Sequence, residues 1–371
     1  MVGGARGYTA AMLVAVEAKR LAQEVRGIGR YVRALLPRLV LQGDGLRLAL
    51  FVRRGDMATV RAMFDSPELR DCVDVRPIGA LTRATADVFW YPWNTANPAP
   101  ARGCVVATMH DVVPIAHPDP RLRGTLKNLR WRRRYTATAK RATLIIADSQ
   151  FSADEAHRTL HIPHERMRVV LLAADDFVVP PPEGDAEILA RLGVTSPFVL
   201  AVGAADRRKN LALLDRAMPR VIEHVPTAQL VLAGPRRRSS RHQESWRKTL
   251  GFVSDRELAA LYRGAEALVQ PSTYEGFGLP VLEAMQLGTP VICARASSLP
   301  EVAGDAATWV VPSDDVDFAR AIVDVLTDFP RRARMSAASI AQASRFTWDE
   351  TARETIAAFE DAVALCREHG R

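Results

Sequence analysis

Short apolar runs alternate with stretches of helical periodicity along most of the chain, and no other feature restricts the fold as much. Met12-Leu13-Val14-Ala15-Val16, Leu48-Ala49-Leu50-Phe51-Val52, Val88-Phe89-Trp90, Val105-Val106-Ala107-Thr108 and Thr143-Leu144-Ile145-Ile146-Ala147 each read as a buried strand. A helical pattern runs from Arg30 to Leu36, just after Gly27-Ile28-Gly29. Strands that alternate with helices predict a parallel sheet covered on both faces. Three consecutive prolines, Pro180 to Pro182, then break the pattern, because proline continues neither a helix nor a central strand. A second α/β pattern follows, with strands expected at Phe198–Gly203, Gln229–Gly234, Ala267–Gln270 and Pro290–Cys293, and a last helical stretch from Asp349 to Ala364. A length of 371 residues agrees with two domains. We expect an N-terminal domain over residues 1–178, a second over 179–348 and a terminal helix over 349–371. Two α/β halves joined by a proline linker suggest a hinge, with a ligand site in the cleft between them.

Composition narrows the partners. Apolar residues make up 48% of the chain and charged residues 25%, as in globular proteins, and no stretch is apolar enough to span a bilayer. The N-terminus lacks an apolar signal core, and Cys72, Cys104, Cys293 and Cys366 are scattered without metal-ligand spacing. A reducing cytoplasm and no disulfide framework are therefore expected. The net charge of +8 favours anionic partners: nucleotides, phospholipids or nucleic acid. Nucleic acid is set aside, because the basic run Arg130-Trp131-Arg132-Arg133-Arg134-Tyr135 is not accompanied by a recognised binding motif. The same run, with Lys140 and Arg141, sets Trp131 and Tyr135 one helical turn apart with arginines beside them. Such a helix can lie on an anionic bilayer with its aromatics at the headgroups; the competing reading packs the aromatics inward.

The stretch richest in chemistry is Pro271 to Met285. A strand should end near Pro271 and a helix start near Leu279, with Pro280 in first position. Gly276 and Gly278 leave the backbone bare before that helix, so its N–H groups and dipole can meet a diphosphate or sugar hydroxyls. Glu275 and Glu283 can both point into one cleft, where carboxylates accept from paired hydroxyls of a sugar or ribose. A plainer reading makes Glu283 an ordinary first-turn carboxylate and the glycines turn formers.

Val202-Gly203-Ala204-Ala205-Asp206-Arg207-Arg208-Lys209-Asn210 follows the first strand of the second half and opens a helix. Its cations can clamp phosphates and stabilise a departing nucleotide. Only five of the 50 basic residues are lysine, so Lys209 at this turn is less expected from arginine bias alone. His110 follows a strand of the first half, where it can bond a sugar or carry a proton, or be a structural histidine held by Asp111. Gly27-Ile28-Gly29 is too short for a dinucleotide fingerprint but can admit a sugar phosphate. Asp315-Val316-Asp317 has a spacing that some sugar transferases use for metal, yet Ser313-Asp314-Asp315 reads better as a helix start.

Together these stretches resemble the retaining glycosyltransferases of family 4, which have the GT-B fold. Glu275-Gly276-Phe277-Gly278-Leu279-Pro280-Val281-Leu282-Glu283 is similar to the E-x7-E motif of that family, and Gly288-Thr289-Pro290-Val291-Ile292 to its continuation. Ser297-Ser298-Leu299-Pro300-Glu301-Val302 resembles the segment that follows. Arg208-Lys209-Asn210 resembles the phosphate motif, while Gly27-Ile28-Gly29-Arg30-Tyr31 and His110-Asp111 are similar to first-domain motifs. Phe346-Thr347-Trp348 and the last helix look like the segment that crosses back to the first domain.

The resemblance implies two Rossmann-like domains facing each other across a cleft and a metal-independent, retaining hexosyltransferase. It implies that His110 and Glu275 contact the sugar, that Glu283 binds the ribose, and that Arg208 and Lys209 bind the diphosphate. Gly27, Gly29, Gly203, Gly276, Phe277, Gly278 and Leu279 would complete the donor site, with main-chain groups of Val253 and Ser254 on the base. Many members carry arginine where this chain has Ala204, so Arg207 or Arg208 would have to compensate. The closest appearance is to bacterial polysaccharide and lipopolysaccharide mannosyltransferases. That implies GDP-mannose as donor, no cofactor, and a glycan or polyprenyl-diphosphate-linked acceptor at the inner face of the cytoplasmic membrane. An epimerase or phosphorylase on the same fold, or a non-catalytic binding protein, are the alternatives.

Overall fold

The computed structural model describes residues 12–24, 27–100, 102–118, 122–174, 182–203, 206–235 and 244–368. The chain divides into two compact units, Met1–Leu172 with Trp348–Arg371, and Ala173–Thr347. The first unit contains β1 (Leu13–Glu17), β2 (Arg47–Val52), β3 (Val73–Pro77), β4 (Val88–Tyr91), β5 (Cys104–Met109), β6 (Leu144–Ala147) and β7 (Met167–Val169). They form one parallel sheet in the order β3-β2-β1-β4-β5-β6-β7. The second contains β8 (Phe198–Val202), β9 (Gln229–Ala233), β10 (Arg247–Gly251), β11 (Ala267–Gln270), β12 (Val291–Ala294) and β13 (Ala307–Val310). These are also parallel, in the order β10-β9-β8-β11-β12-β13.

Helices cover both faces because the central strands are apolar on both sides; β4, β5, β6, β11 and β12 are buried at every position. In each unit the strand order reverses once, between β1 and β4 and between β8 and β11. The C-terminal ends of strands at such a reversal are the usual ligand position in open α/β sheets.

The helix Trp348–Glu368 belongs to the first unit and packs on the helix Ile28–Gln42. Trp348, Ala352, Phe359 and Ala362 form its buried stripe, and Phe359 meets Trp90 edge-on at 5.6 Å. Asp349 and Glu350 in the first turn and Arg367 in the last complement the helix dipole.

One expectation changes, and one pair of competing readings is decided. Cys104, which opens β5, and Cys366, on the last helix, are joined by a disulfide across 262 residues, so scattered sequence positions hid a spatial pair. In the helix Leu122–Arg141, Tyr135 is buried in the core and Trp131 packs against it, so these aromatics do not face outward. The outward face instead carries Leu126, 76% exposed, and Leu129, 47% exposed, among arginines. The proline break at 180–182 lies largely outside the described residues. Among the described residues no helix is long and apolar enough to cross a membrane.

Candidate functional site

In the second unit the loops after β8 and β11 flank the switch point, and they carry most of the residues singled out by sequence. Gly203 ends β8, its N–H bonded to the Ala233 carbonyl. Asp206 then caps a short 3-10 turn at Arg207–Lys209 by accepting from the Arg208 N–H. Asn210 leaves that turn in the left-handed conformation and donates its side-chain amide to the carbonyls of Pro271, at 3.2 Å, and Pro312, at 2.9 Å. The Thr273 N–H reaches back to the Arg208 carbonyl at 2.8 Å. These bonds tie together the loops that follow β8, β11 and β13.

The tie brings Lys209 and Glu275 into contact, Nζ to Oε1 at 2.6 Å. Gln270, the last residue of β11, donates to the same oxygen at 2.6 Å. Ser297 Oγ accepts from the Glu275 N–H, and the Ser298 hydroxyl lies 2.7 Å from the Phe277 carbonyl. Glu275 therefore does not project freely. It is a largely buried carboxylate whose Oε1 is held by one cation and one amide. Phe277 turns its ring inward, where it meets Phe346 edge-on at 6.2 Å.

Gly278 has φ +117°, a conformation that side-chain-bearing residues rarely adopt, and from it the helix Leu279–Gln286 starts. Pro280 is the second helical residue rather than the first; its missing N–H is still one of the four that a helix start leaves unpaired. One turn on, Glu283 is buried and accepts from the Tyr262 hydroxyl at 2.9 Å. Tyr262 lies on the helix Asp255–Gly264 and was not singled out by sequence; nothing in its local pattern signals a partner 21 residues away.

Two expected ligand groups are already engaged. Arg208 folds onto Asp206, Nη2 to Oδ2 at 3.0 Å, and this arginine holds the Asp206 carboxyl below the usual carboxylate range against the opposing effect of partial burial. Ser254 caps its helix in a capping box with Glu257: its N–H bonds the Glu257 carboxylate at 2.7 Å and its carbonyl accepts from Leu258. The Ser254 N–H is thus spent on the helix start, while its carbonyl keeps a second lone pair. Val253 beside it is buried. Ala204 lies outside the described residues.

In the first unit His110 follows β5 and is buried. Its Nδ1 lies 2.6 Å from Asp148 Oδ2 and its Nε2 2.9 Å from the Pro92 carbonyl. The side-chain partner is Asp148, at the end of the neighbouring β6, and not the adjacent Asp111; sequence separation concealed it. Two acceptors suit an imidazolium that donates from both nitrogens. Burial pushes the His110 pKa down, but the charge and hydrogen bond of Asp148 outweigh it and the net shift is upward. Asn94, itself left-handed, fixes the His110 N–H at 2.6 Å.

Gly27 starts the helix Ile28–Gln42, and Gly29 lies so close to Glu24 that an added Cβ would sit 2.0 Å from its carbonyl oxygen. Tyr31 on that helix meets the His110 ring edge-on at 5.1 Å. Glu17, which ends β1, is fully buried beside Lys19 at 3.0 Å, and burial raises its pKa.

Asp315 and Asp317 lie at a helix start and are engaged in ion pairs. Asp314 caps their helix through the Asp317 N–H, Asp315 pairs with Arg216 and Arg220, and Asp317 with Arg320. Among the described residues no three His, Cys, Asp or Glu side chains gather as metal ligands.

The fold is that of GT-B glycosyltransferases. The structure of Anabaena HepE in complex with UDP and glucose superposes over 94% of this chain and 99% of that one, with TM-score 0.70 and 20% identity. The structure of WaaG, a glycosyltransferase involved in lipopolysaccharide biosynthesis, covers 94% and 98%, with TM-score 0.66 and 16% identity. Residues 189–342 match the family described as glycosyl transferases group 1. Similarity extends further with the O-antigen chain mannosyltransferase B of Escherichia coli, 33% identical over 273 residues, which are 69% of this chain and 70% of that protein. The serotype-specific mannosyltransferase WbdA of Escherichia coli is 29% identical over 299 residues, 75% of this chain but 34% of the longer relative. The chain belongs to the group 1 glycosyltransferases, and within them it resembles the mannosyltransferases of O-antigen assembly.

Proposed function

We propose that the chain transfers a mannosyl residue from GDP-mannose, with retention of configuration and without a metal ion, to a glycan or polyprenyl-diphosphate-linked acceptor in polysaccharide assembly of the O-antigen type. The observation that carries this reading is the Lys209–Glu275 pair at the β8/β11 switch point, with Glu283 one helical turn beyond it. Lys209 has three N–H donors and gives one to Glu275, so it can keep that bond while it holds the donor diphosphate. The start of the Leu279–Gln286 helix adds its unpaired N–H groups and dipole. Lys209 and the helix start thereby do the work a cation would do on the leaving phosphate. Arg208 joins them on exchanging Asp206 for phosphate. Glu275 accepts from a sugar hydroxyl, and Glu283, oriented by Tyr262, from the ribose.

No protein nucleophile is needed. The departing phosphate oxygen takes the acceptor proton on the face the nucleotide leaves, and the acceptor oxygen bonds the anomeric carbon on that face. His110, held at Nδ1 by Asp148, supplies its Nε2–H as a donor toward the transferred sugar on leaving the Pro92 carbonyl. The mannosyl donor rests on the named activities of the two Escherichia coli relatives. The test is incubation with GDP-mannose and a mannan acceptor, followed by NMR of the new anomeric signal. An α-linked product supports the reading; a β-linked product, or epimerised free nucleotide sugar, contradicts it.

A lipid-linked acceptor also suits the helix Leu122–Arg141, which has eight basic residues and no acidic one. Leu126, Leu129, Arg130, Arg133 and Lys140 share one stripe at helical spacing, and all are exposed. Two leucines among cations fit a surface that dips into an anionic headgroup layer, each cation contributing about 1 kcal/mol. Co-sedimentation with anionic but not neutral vesicles, lost in a Leu126→Ser, Leu129→Ser, Arg130→Gln, Arg133→Gln variant, would support it. Equal recovery in the supernatant with all lipids would refute it.

A further inference from the structure

At the C-terminal ends of β2 and β3 the first unit has a pocket of about 660 Å³. Its floor includes Phe51 and Ile78, which also belong to the packing around the core. Its walls carry three arginines, Arg54, Arg76 and Arg83, and no acidic residue lines it. Arg76 is paired from outside the pocket with Asp74, Nε to Oδ2 at 2.6 Å. Arg54 and Arg83 have no acidic partner among the described residues, so the pocket keeps two uncompensated positive charges. These arginines come from different segments. Arg54 follows β2, Arg76 is the next-to-last residue of β3, beside Phe51 in the sheet register, and Arg83 closes the short turn Ile78–Arg83. Gly79 at the wall leaves open space where a side chain would stand.

We propose that this pocket binds a phosphoryl group of the acceptor. A guanidinium fork matches the oxygens of phosphate in pairs, and two unpaired forks with an apolar floor suit a phosphate ester that carries an organic body. The pocket lies over β2 and β3, whereas His110 follows β5, three places away from β2 in the order β2-β1-β4-β5. Three inter-strand spacings amount to about 14 Å. An acceptor whose phosphate sits in the pocket and whose free end approaches His110 is therefore longer than one sugar ring. The link to an acceptor rests on the glycosyltransferase reading above; the pocket's affinity for phosphate does not.

Two sources share this chemistry, a membrane-bound polyprenyl diphosphate and a water-soluble phosphorylated glycan, and the experiment separates them. In the first arm inorganic phosphate is titrated into the full chain and followed by ³¹P NMR, with the Arg54→Gln, Arg83→Gln double variant and with Lys209→Ala. The double variant should bind about tenfold more weakly, about 1.4 kcal/mol, while Lys209→Ala keeps the same pocket signal. Equal binding by the wild type and the double variant overturns the proposal, as does loss only in Lys209→Ala. In the second arm transfer is measured to a soluble glycan phosphate, to its dephosphorylated form and to a polyprenyl-diphosphate glycan in vesicles. The double variant should raise KM about tenfold for whichever phosphorylated acceptor is the substrate, with kcat kept and the dephosphorylated form unaffected. An equal effect on both forms of the glycan overturns the acceptor assignment. Failure of the wild type to transfer any sugar, with the phosphate arm positive, would instead remove the functional reading and leave the pocket as an anion site.

Discussion

Lys209→Met separates a structural ion pair from a catalytic one. Removing the cation leaves Glu275, with only 11% of its side chain exposed, held by Gln270 alone. Breaking a fully buried pair costs about 3–5 kcal/mol because the remaining charge is stranded. Here Gln270 remains and both side chains keep some solvent, so the loss should be about 2–3 kcal/mol. Glu275→Gln in the same background removes the stranded charge, and the double variant should recover about 1–2 kcal/mol of that loss. Urea denaturation of the four proteins gives the cycle. Turnover should behave differently: Lys209→Met lowers kcat about 10²–10³-fold through the lost stabilisation of the leaving diphosphate, and the double variant stays equally slow. If the double variant regains turnover along with stability, the pair is only a structural tie and the reasoning fails.

Tyr262→Phe removes a donor to the buried Glu283; it should cost about 1–3 kcal/mol of stability, and in the folded variant weaken nucleotide binding about three- to tenfold, read by calorimetry; unchanged affinity would detach Glu283 from the ribose. His110 should titrate above the ordinary histidine value of about 6.5, and Asp148→Asn should bring it down. The sign for stability follows: the gain from this raised pKa is fully present below the unfolded value and is lost as pH rises through the folded one. NMR of the His110 ring protons decides, and a value at or below 6.5 would contradict the pairing. Full turnover in excess EDTA is expected, since Lys209 and a helix start stand where a cation would; abolition by EDTA with rescue by Mg²⁺ or Mn²⁺ would overturn that. Phe359→Ala should cost about 3–5 kcal/mol in thermal or urea unfolding by emptying the space beside Trp90; a loss below 1 kcal/mol would mean the last helix is not part of that core.

The central strands were legible because each is buried on both faces, so its whole run is apolar. The four strands that the sequence pattern did not reveal, β3, β7, β10 and β13, are the four sheet edges. In β3 and β10 polar residues interrupt the strand, as in Val73-Asp74-Val75-Arg76-Pro77 and Arg247-Lys248-Thr249-Leu250-Gly251, and no continuous apolar run forms. The residues of the candidate site were legible where a strand end and a glycine-bearing loop fall in one segment, as at Glu275 and Gly278. Their partners were not. Asp148 for His110, Tyr262 for Glu283 and Cys366 for Cys104 are set by strand order and helix packing, not by neighbourhood in the chain. The outward face of the basic helix was left open for a related reason: periodicity places Trp131 and Tyr135 together, but which side faces the core depends on the sheet beneath.

The most direct test of the account is a thermal-shift series with GDP-mannose, UDP-glucose, ADP-glucose and dTDP-glucose on the wild type and on Glu283→Ala. A donor at about a hundred times its Kd stabilises by about 2.7 kcal/mol. For a unit of this size that is a rise of about 5–10 °C. GDP-mannose should give that rise in the wild type, and Glu283→Ala should lose most of it. No shift with any of the four, or an equal shift in Glu283→Ala, would contradict the assignment of the β8/β11 switch point as the donor site.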